Sequence, residues 1–157
     1  MKIKIILIGK TEENYLKEGI DIYEKRLKHY VPFDSIVVPA LKNNKNISKE
    51  QQKDQEGKLI LKSIHPTDKL ILLDEAGKAL TSIEFANYIQ KNSLNSAKNL
   101  IFVIGGPFGF SKEIYEKAQD KISLSTMTFS HQIIRLFFAE QLYRAMTIIK
   151  GEPYHHG

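Results

Sequence analysis

Short apolar runs alternate with helix-like stretches along the whole chain, and this alternation restricts the fold more than any other feature. The runs are Ile5 to Ile8, Ile36-Val37-Val38, Leu70-Ile71-Leu72-Leu73, Leu100–Ile104 and Ile122-Ser123-Leu124-Ser125. Short runs bounded by glycine, proline or polar clusters read as strands buried on both faces. Repeated strand–helix units imply an α/β fold, a mainly parallel sheet flanked by helices. In such sheets ligands bind beyond the carboxyl ends of the strands. Three loops lie there: Asp74–Lys78, Gly105–Ser111 and Ser125–His131.

The spacing predicts strands over Lys2–Gly9, Phe33–Pro39, Asp68–Asp74, Leu100–Ile104 and Ile122–Ser125. It predicts a helix over Glu12–Tyr30, where Tyr15, Leu16, Ile20, Tyr23 and Leu27 share one face. Leu41–Ile47 is polar and reads as a loop, and Ser48 caps a mostly polar helix to Ile64. Ala76-Gly77-Lys78 reads as a turn. Thr81 or Ser82 caps a helix to about Asn95, and Ser111 caps a short one to about Gln119. His131–Lys150 is a long helix, with the tail Gly151–Gly157 after it.

The chain has 157 residues, 42% of them hydrophobic, and no cysteine. One domain over residues 1–157 is expected, since domains commonly span about 100–200 residues. Without cysteine there can be no disulfide, thiolate metal site or cysteine nucleophile. Lys and Arg number 23 against 18 Asp and Glu, a formal charge of +5 that is compatible with an RNA or phosphate partner. The apolar run at the start is far below the roughly 7–15 residues of a secretion signal. Arg135, Glu140 and Arg144 interrupt the last apolar stretch before the ~20 residues of a membrane span. A soluble cytoplasmic protein without a membrane partner is expected.

Gly105-Gly106-Pro107-Phe108-Gly109 follows a buried strand but is neither a Walker loop nor a dinucleotide fingerprint. Paired glycines allow close backbone approach, either to a ligand or simply in a tight turn. The loop Ser125-Thr126-Met127-Thr128-Phe129-Ser130 mixes hydroxyls with Met and Phe, which suits a neutral heterocycle such as adenine or a packed connection. Ser130 is a natural helix cap, and His131 beside it reads as a structural residue. From Gln132 to Lys150, 12 of 19 positions are apolar, too many for one core-facing stripe. A second cover, another subunit, is expected. Glu140 and Arg144 are four apart and read by themselves as a helix ion pair. The end, Glu152-Pro153-Tyr154-His155-His156-Gly157, reads by itself as a disordered tail. No metal-ligand spacing and no nucleophile elbow is present.

Taken together these pieces carry a resemblance. They are Leu73, Asp74, Gly77 and Lys78; Ile104–Gly109; Ser123–His131; Arg135; Glu140–Ala145; and the ending Pro153-Tyr154-His155. In this order, and with the start Lys2–Lys10, they resemble the RlmH (YbeA-like) family of bacterial ribosomal RNA methyltransferases over the full length. The resemblance implies the SPOUT α/β fold with a C-terminal trefoil knot and a homodimer. It implies S-adenosylmethionine as methyl donor, its adenosine against Leu73, Gly106 and the loop Ser125, Thr126, Met127, Thr128, Phe129 and Ser130. The implied reaction is N3-methylation of a pseudouridine in helix 69 of 23S rRNA, in the assembled 70S ribosome.

The methyl of a sulfonium is already electrophilic, so no metal is called for, and positioning and proton removal dominate. The resemblance points to His155 as proton acceptor or base-orienting residue, with Tyr154 against the base. Glu140 and Arg144 would line the same pocket. His156 stands where the family carries Lys or Arg. Two alternatives stay open: a SPOUT enzyme acting on another RNA such as tRNA, and a non-catalytic ribosome-binding module.

Overall fold

In the computed structural model, which describes residues 1–41, 46–95 and 99–157, the alternation becomes β1 (Ile3–Ile8), α1 (Asn14–Leu27), β2 (Phe33–Val38), α2 (Lys49–Lys62) and β3 (Lys69–Ala79), then α3 (Ser82–Asn95), β4 (Leu100–Ile104), α4 (Lys112–Lys117), β5 (Asp120–Ser123) and α5 (Ile133–Ile149). The strands form one sheet in the order β2-β1-β4-β3-β5, and all four pairings are parallel. The central strand β4 is buried at every position, which is why its five residues are all apolar. The predicted loop Leu41–Ile47 lies partly outside the described residues.

Each face of the sheet owns alternate residues of the strands, as the two-residue repeat requires. Ile3, Ile5, Leu7, Phe102 and Ile104 pack under α1, α3 and α5, against Leu27, Phe85, Phe138 and Leu142. Ile6, Ile8, Leu72, Ile101 and Val103 pack under α2 and α4, against Ile60 and Ile114. β1 has β2 on one side and β4 on the other, so the crossovers diverge at the carboxyl end of β1.

Capping sets several helix starts. The Ser48 hydroxyl accepts from the Gln51 amide at 3.1 Å, while Gln51 Oε1 accepts from the Ser48 amide at 2.8 Å. Thr81, not Ser82, makes the same reciprocal pair with Glu84, at 3.1 and 2.7 Å. Ser111 Oγ accepts from Ile114 N.

Two expectations are corrected. Ala76-Gly77-Lys78 is not a turn, because β3 runs on through it to Ala79. A register shift between Leu73 and Lys78 lets the strand pair twice with β5, Leu73 with Ile122 and then Lys78 with Ile122. Gly77 serves this close approach: a Cβ there would lie 2.7 Å from the backbone nitrogen of Ile122. β5 itself covers Asp120–Ser123, two residues earlier than its apolar pattern suggests. The Gln119 side chain accepts from Leu70 N, so pairing begins before the apolar residues do.

Candidate active site

A cavity of about 460 Å³ opens at the carboxyl ends of β4 and β5, beside the register shift of β3. That size lies within the roughly 300–1,000 Å³ range of small-molecule and cofactor sites. Leu73, Gly106, Ser125, Met127, Thr128, Phe129 and Ser130, which the resemblance assigns to the donor, line it. Thr126, exposed on the same loop, does not. The loop's own hydrogen bonds shape this wall. Ser123 Oγ donates to the Ser125 carbonyl at 2.7 Å, and Ser125 Oγ accepts from Met127 N at 2.9 Å. Ser130 Oγ accepts from Ile133 N at 3.1 Å, fixing the loop to the start of α5.

The Gly105–Gly109 turn forms a second wall. Gly109 N donates to the Gly106 carbonyl at 3.2 Å, and Gly109 takes φ +82°, a conformation that disfavours a side chain. Asp74 and Tyr115 complete the rim, with the Tyr115 hydroxyl donating to the Asp74 carboxylate. Burial and that bond raise the phenol to about 12. The sequence gives Tyr115 no signal beyond an aromatic residue on a short polar helix.

Arg135 is 2% exposed and does not enter the cavity. Its guanidinium donates to the carbonyls of Ile8 (2.7 Å) and Gly9 (2.9 Å), to Thr11 Oγ1 and to the carbonyl of His131. It therefore pins the first turn of α5 to the end of β1 and satisfies carbonyls that the sheet leaves open.

The remaining predicted residues form a cluster of their own. Arg144 Nη2 and Nε donate to Glu140 Oε1 at 2.6 and 3.0 Å, and the Tyr154 hydroxyl donates to the same oxygen at 3.0 Å. Arg144 Nη1 lies 3.0 Å from His155 Nδ1, and its guanidinium sits 4.8 Å from the Tyr154 ring centroid. Arginine has donors only, so Nδ1 of His155 is the acceptor and the neutral ring carries its proton on Nε2. Burial raises the Tyr154 hydroxyl above its ordinary value, and the hydrogen bonds to Tyr23 and Glu140 add to this. The bond to Glu140 raises Arg144.

The tail is thus folded rather than free. Tyr30 donates to Glu152 at 2.6 Å, and Tyr154 packs edge-on against Tyr143. Within one chain this cluster stands apart from the cavity. Glu140 lines a neighbouring one of about 400 Å³, which shares Ser123, Leu124, Ser125, Phe129 and Ile134 with the first, whereas Arg144, Tyr154 and His155 line neither.

Comparison with known proteins places this geometry. A family model described as "Predicted SPOUT methyltransferase" matches residues 1–155. The chain belongs to the SPOUT methyltransferase family. Among SPOUT relatives, a protein of Parabacteroides distasonis is 56% identical over 99% of both chains. One from Flavobacterium johnsoniae is also 56% identical over 99% of both, and one from Bacteroides thetaiotaomicron is 51% identical over the same share. All three are named "Ribosomal RNA large subunit methyltransferase H". Among the described residues no helix is long and apolar enough to cross a membrane. No group of three or more His, Asp or Glu side chains among them could hold a metal ion.

Proposed function

We propose that this chain transfers the methyl group of S-adenosylmethionine to N3 of a pseudouridine in helix 69 of 23S rRNA, in assembled cytoplasmic ribosomes. One observation carries the reading. A cavity of cofactor size, walled by a glycine turn and a hydroxyl-rich loop, lies at the strand ends of a chain about 55% identical to named rRNA methyltransferases.

The residues present fit the donor. Leu73, Met127 and Phe129 give the apolar cover that an adenine ring needs, while the backbone and hydroxyls of Ser125, Thr128 and Ser130 supply hydrogen bonds at its edge. When bound, the donor supplies an electrophilic methyl on a sulfonium. What remains for the protein is to hold N3 of the base in line with the methyl while the N3 proton passes to solvent water.

His155 is the orienting residue in this reading. Arg144 occupies its Nδ1, so Nε2–H is free to donate to a carbonyl oxygen of the base. Glu140 holds Arg144 and Tyr154 in place, leaving the Tyr154 ring to lie against the base.

The gap between this cluster and the donor cavity supports a homodimer, in which the tail of one copy completes the site of the other. Residues of the 124–130 loop and the turn after β4 wall the same cavity, an adjacency that supports trefoil threading of the C-terminal part. The test is transfer of a labelled methyl to 70S ribosomes lacking the modification, with tRNA in a parallel reaction. Incorporation into the ribosomes alone is expected. Incorporation into tRNA alone would move the substrate. Donor binding without any transfer would sink the enzymatic reading.

A further inference from the structure

α2 is mostly polar, and of its residues only Glu56, Gly57 and Ile60 are buried. Glu56 is 5% exposed, at a position where a leucine or methionine would cost far less to bury. Its one hydrogen bond among the described residues comes from Gln52 on the same helix, at 3.2 Å. Burial pushes its carboxyl above the usual range.

What Glu56 faces is the glycine turn. A Cβ on Gly106 would lie 3.1 Å from Glu56 Oε1, 3.5 Å from Oε2 and 3.7 Å from Cδ, so the whole carboxyl group stands against that α-carbon. Gly106 has an ordinary φ, so its missing side chain answers to this contact rather than to backbone conformation. The space behind the turn, between Ile8, Glu56, Ile60 and Ile114, is too small to admit water. α2 packs closely on the segment that follows the turn, where a Cβ on Gly57 would meet Ser111 Oγ at 2.7 Å. On its other side the same turn walls the 460 Å³ cavity. One layer of backbone separates Glu56 from the donor's place.

We propose that Glu56 is a positioning residue for the methyl donor, its carboxyl group bracing the Gly105–Gly109 turn from behind. The inference rests on the donor-binding reading above. Truncating Glu56 leaves a void into which the turn retreats, and the backbone groups that grip the donor move away from it. Glutamine keeps the shape and the bond to Gln52.

The test is calorimetric titration of the full chain with S-adenosylmethionine and with S-adenosylhomocysteine, alongside thermal unfolding. E56A should raise both Kd values about tenfold, the scale of a sub-ångström misplacement, while E56Q stays within about threefold. G106A should also weaken binding, because its Cβ meets Glu56 and drives the turn toward the donor. Combining G106A with E56A should bind better than G106A alone, a coupling that a purely structural residue would not show. If E56A does not fold, G106A decides: wild-type affinity there overturns the inference. A lowered Tm in E56A with unchanged Kd overturns it too. If the wild-type chain binds neither probe, the donor reading fails and takes this inference with it.

Discussion

At the scale of single residues, two arginines of α5 have separate tasks, Arg135 at the carboxyl end of β1 and Arg144 at the tail. Arg135 is buried and fully engaged with backbone carbonyls, and its charge helps keep His131 neutral. Burial first, and then Arg135, hold His131 below its ordinary value. The unfolded chain therefore binds this proton more readily than the folded one, so stability falls as pH drops. This contribution is complete above about pH 6.5 and is lost as pH falls below it. Urea unfolding at pH 8 and pH 5.5 should show a lower midpoint at the acid end, and His131→Gln should reduce the difference. Arg144 instead ties Glu140, Tyr154 and His155 together. Arg144→Ala should release the tail, read as faster protease cleavage after Tyr154, and lower methyl transfer at least about tenfold while donor affinity holds.

At the scale of elements, β3 is where local sequence and tertiary context disagree. Ala76-Gly77-Lys78 has the composition of a turn, yet β5 lies close enough to draw it into the sheet. Gly77→Ala would place a Cβ against the Ile122 backbone, so it should cost about 1–3 kcal/mol, the range for overpacking a rigid site. Thr81→Ala removes one arm of the cap on α3 and should cost about 1 kcal/mol without affecting donor binding. Denaturant midpoints of the two variants measure both. Helix caps were legible because Ser48, Thr81 and Ser111 act within three residues of themselves. The register shift in β3 was not, because its cause is a backbone more than forty residues away.

At the scale of the whole molecule, α5 explains the excess of apolar residues at its surface. Phe138, Leu142, Ala145 and Met146 are buried against the sheet, while Phe137 stays 40% exposed, beside Phe129, with Met127 73% exposed on the loop before it. This apolar surface lies next to both cavities. Sedimentation at micromolar concentration should give about twice the chain mass, as an exposed apolar patch of this kind implies. Two chains of formal charge +5 would then present +10 to the ribosome. Ribosome binding should weaken steeply with added salt as released counterions oppose it. A monomer at that concentration would remove the composite site from the mechanism.

The alternation of apolar runs and helices by itself determined the fold class and the parallel sheet, because a buried strand must be apolar wherever it sits. The family resemblance carried by the motifs named Leu73, Gly106 and the 125–130 loop, which apart from Thr126 line one cavity. Tertiary structure alone decided that Thr126 stays outside the cavity, that Glu56 braces Gly106, and that the tail folds onto Glu140 and Arg144. The reason is distance along the chain. Periodicity and capping are local, but a carboxyl on α2 meets a glycine fifty residues later only once the sheet has brought them together.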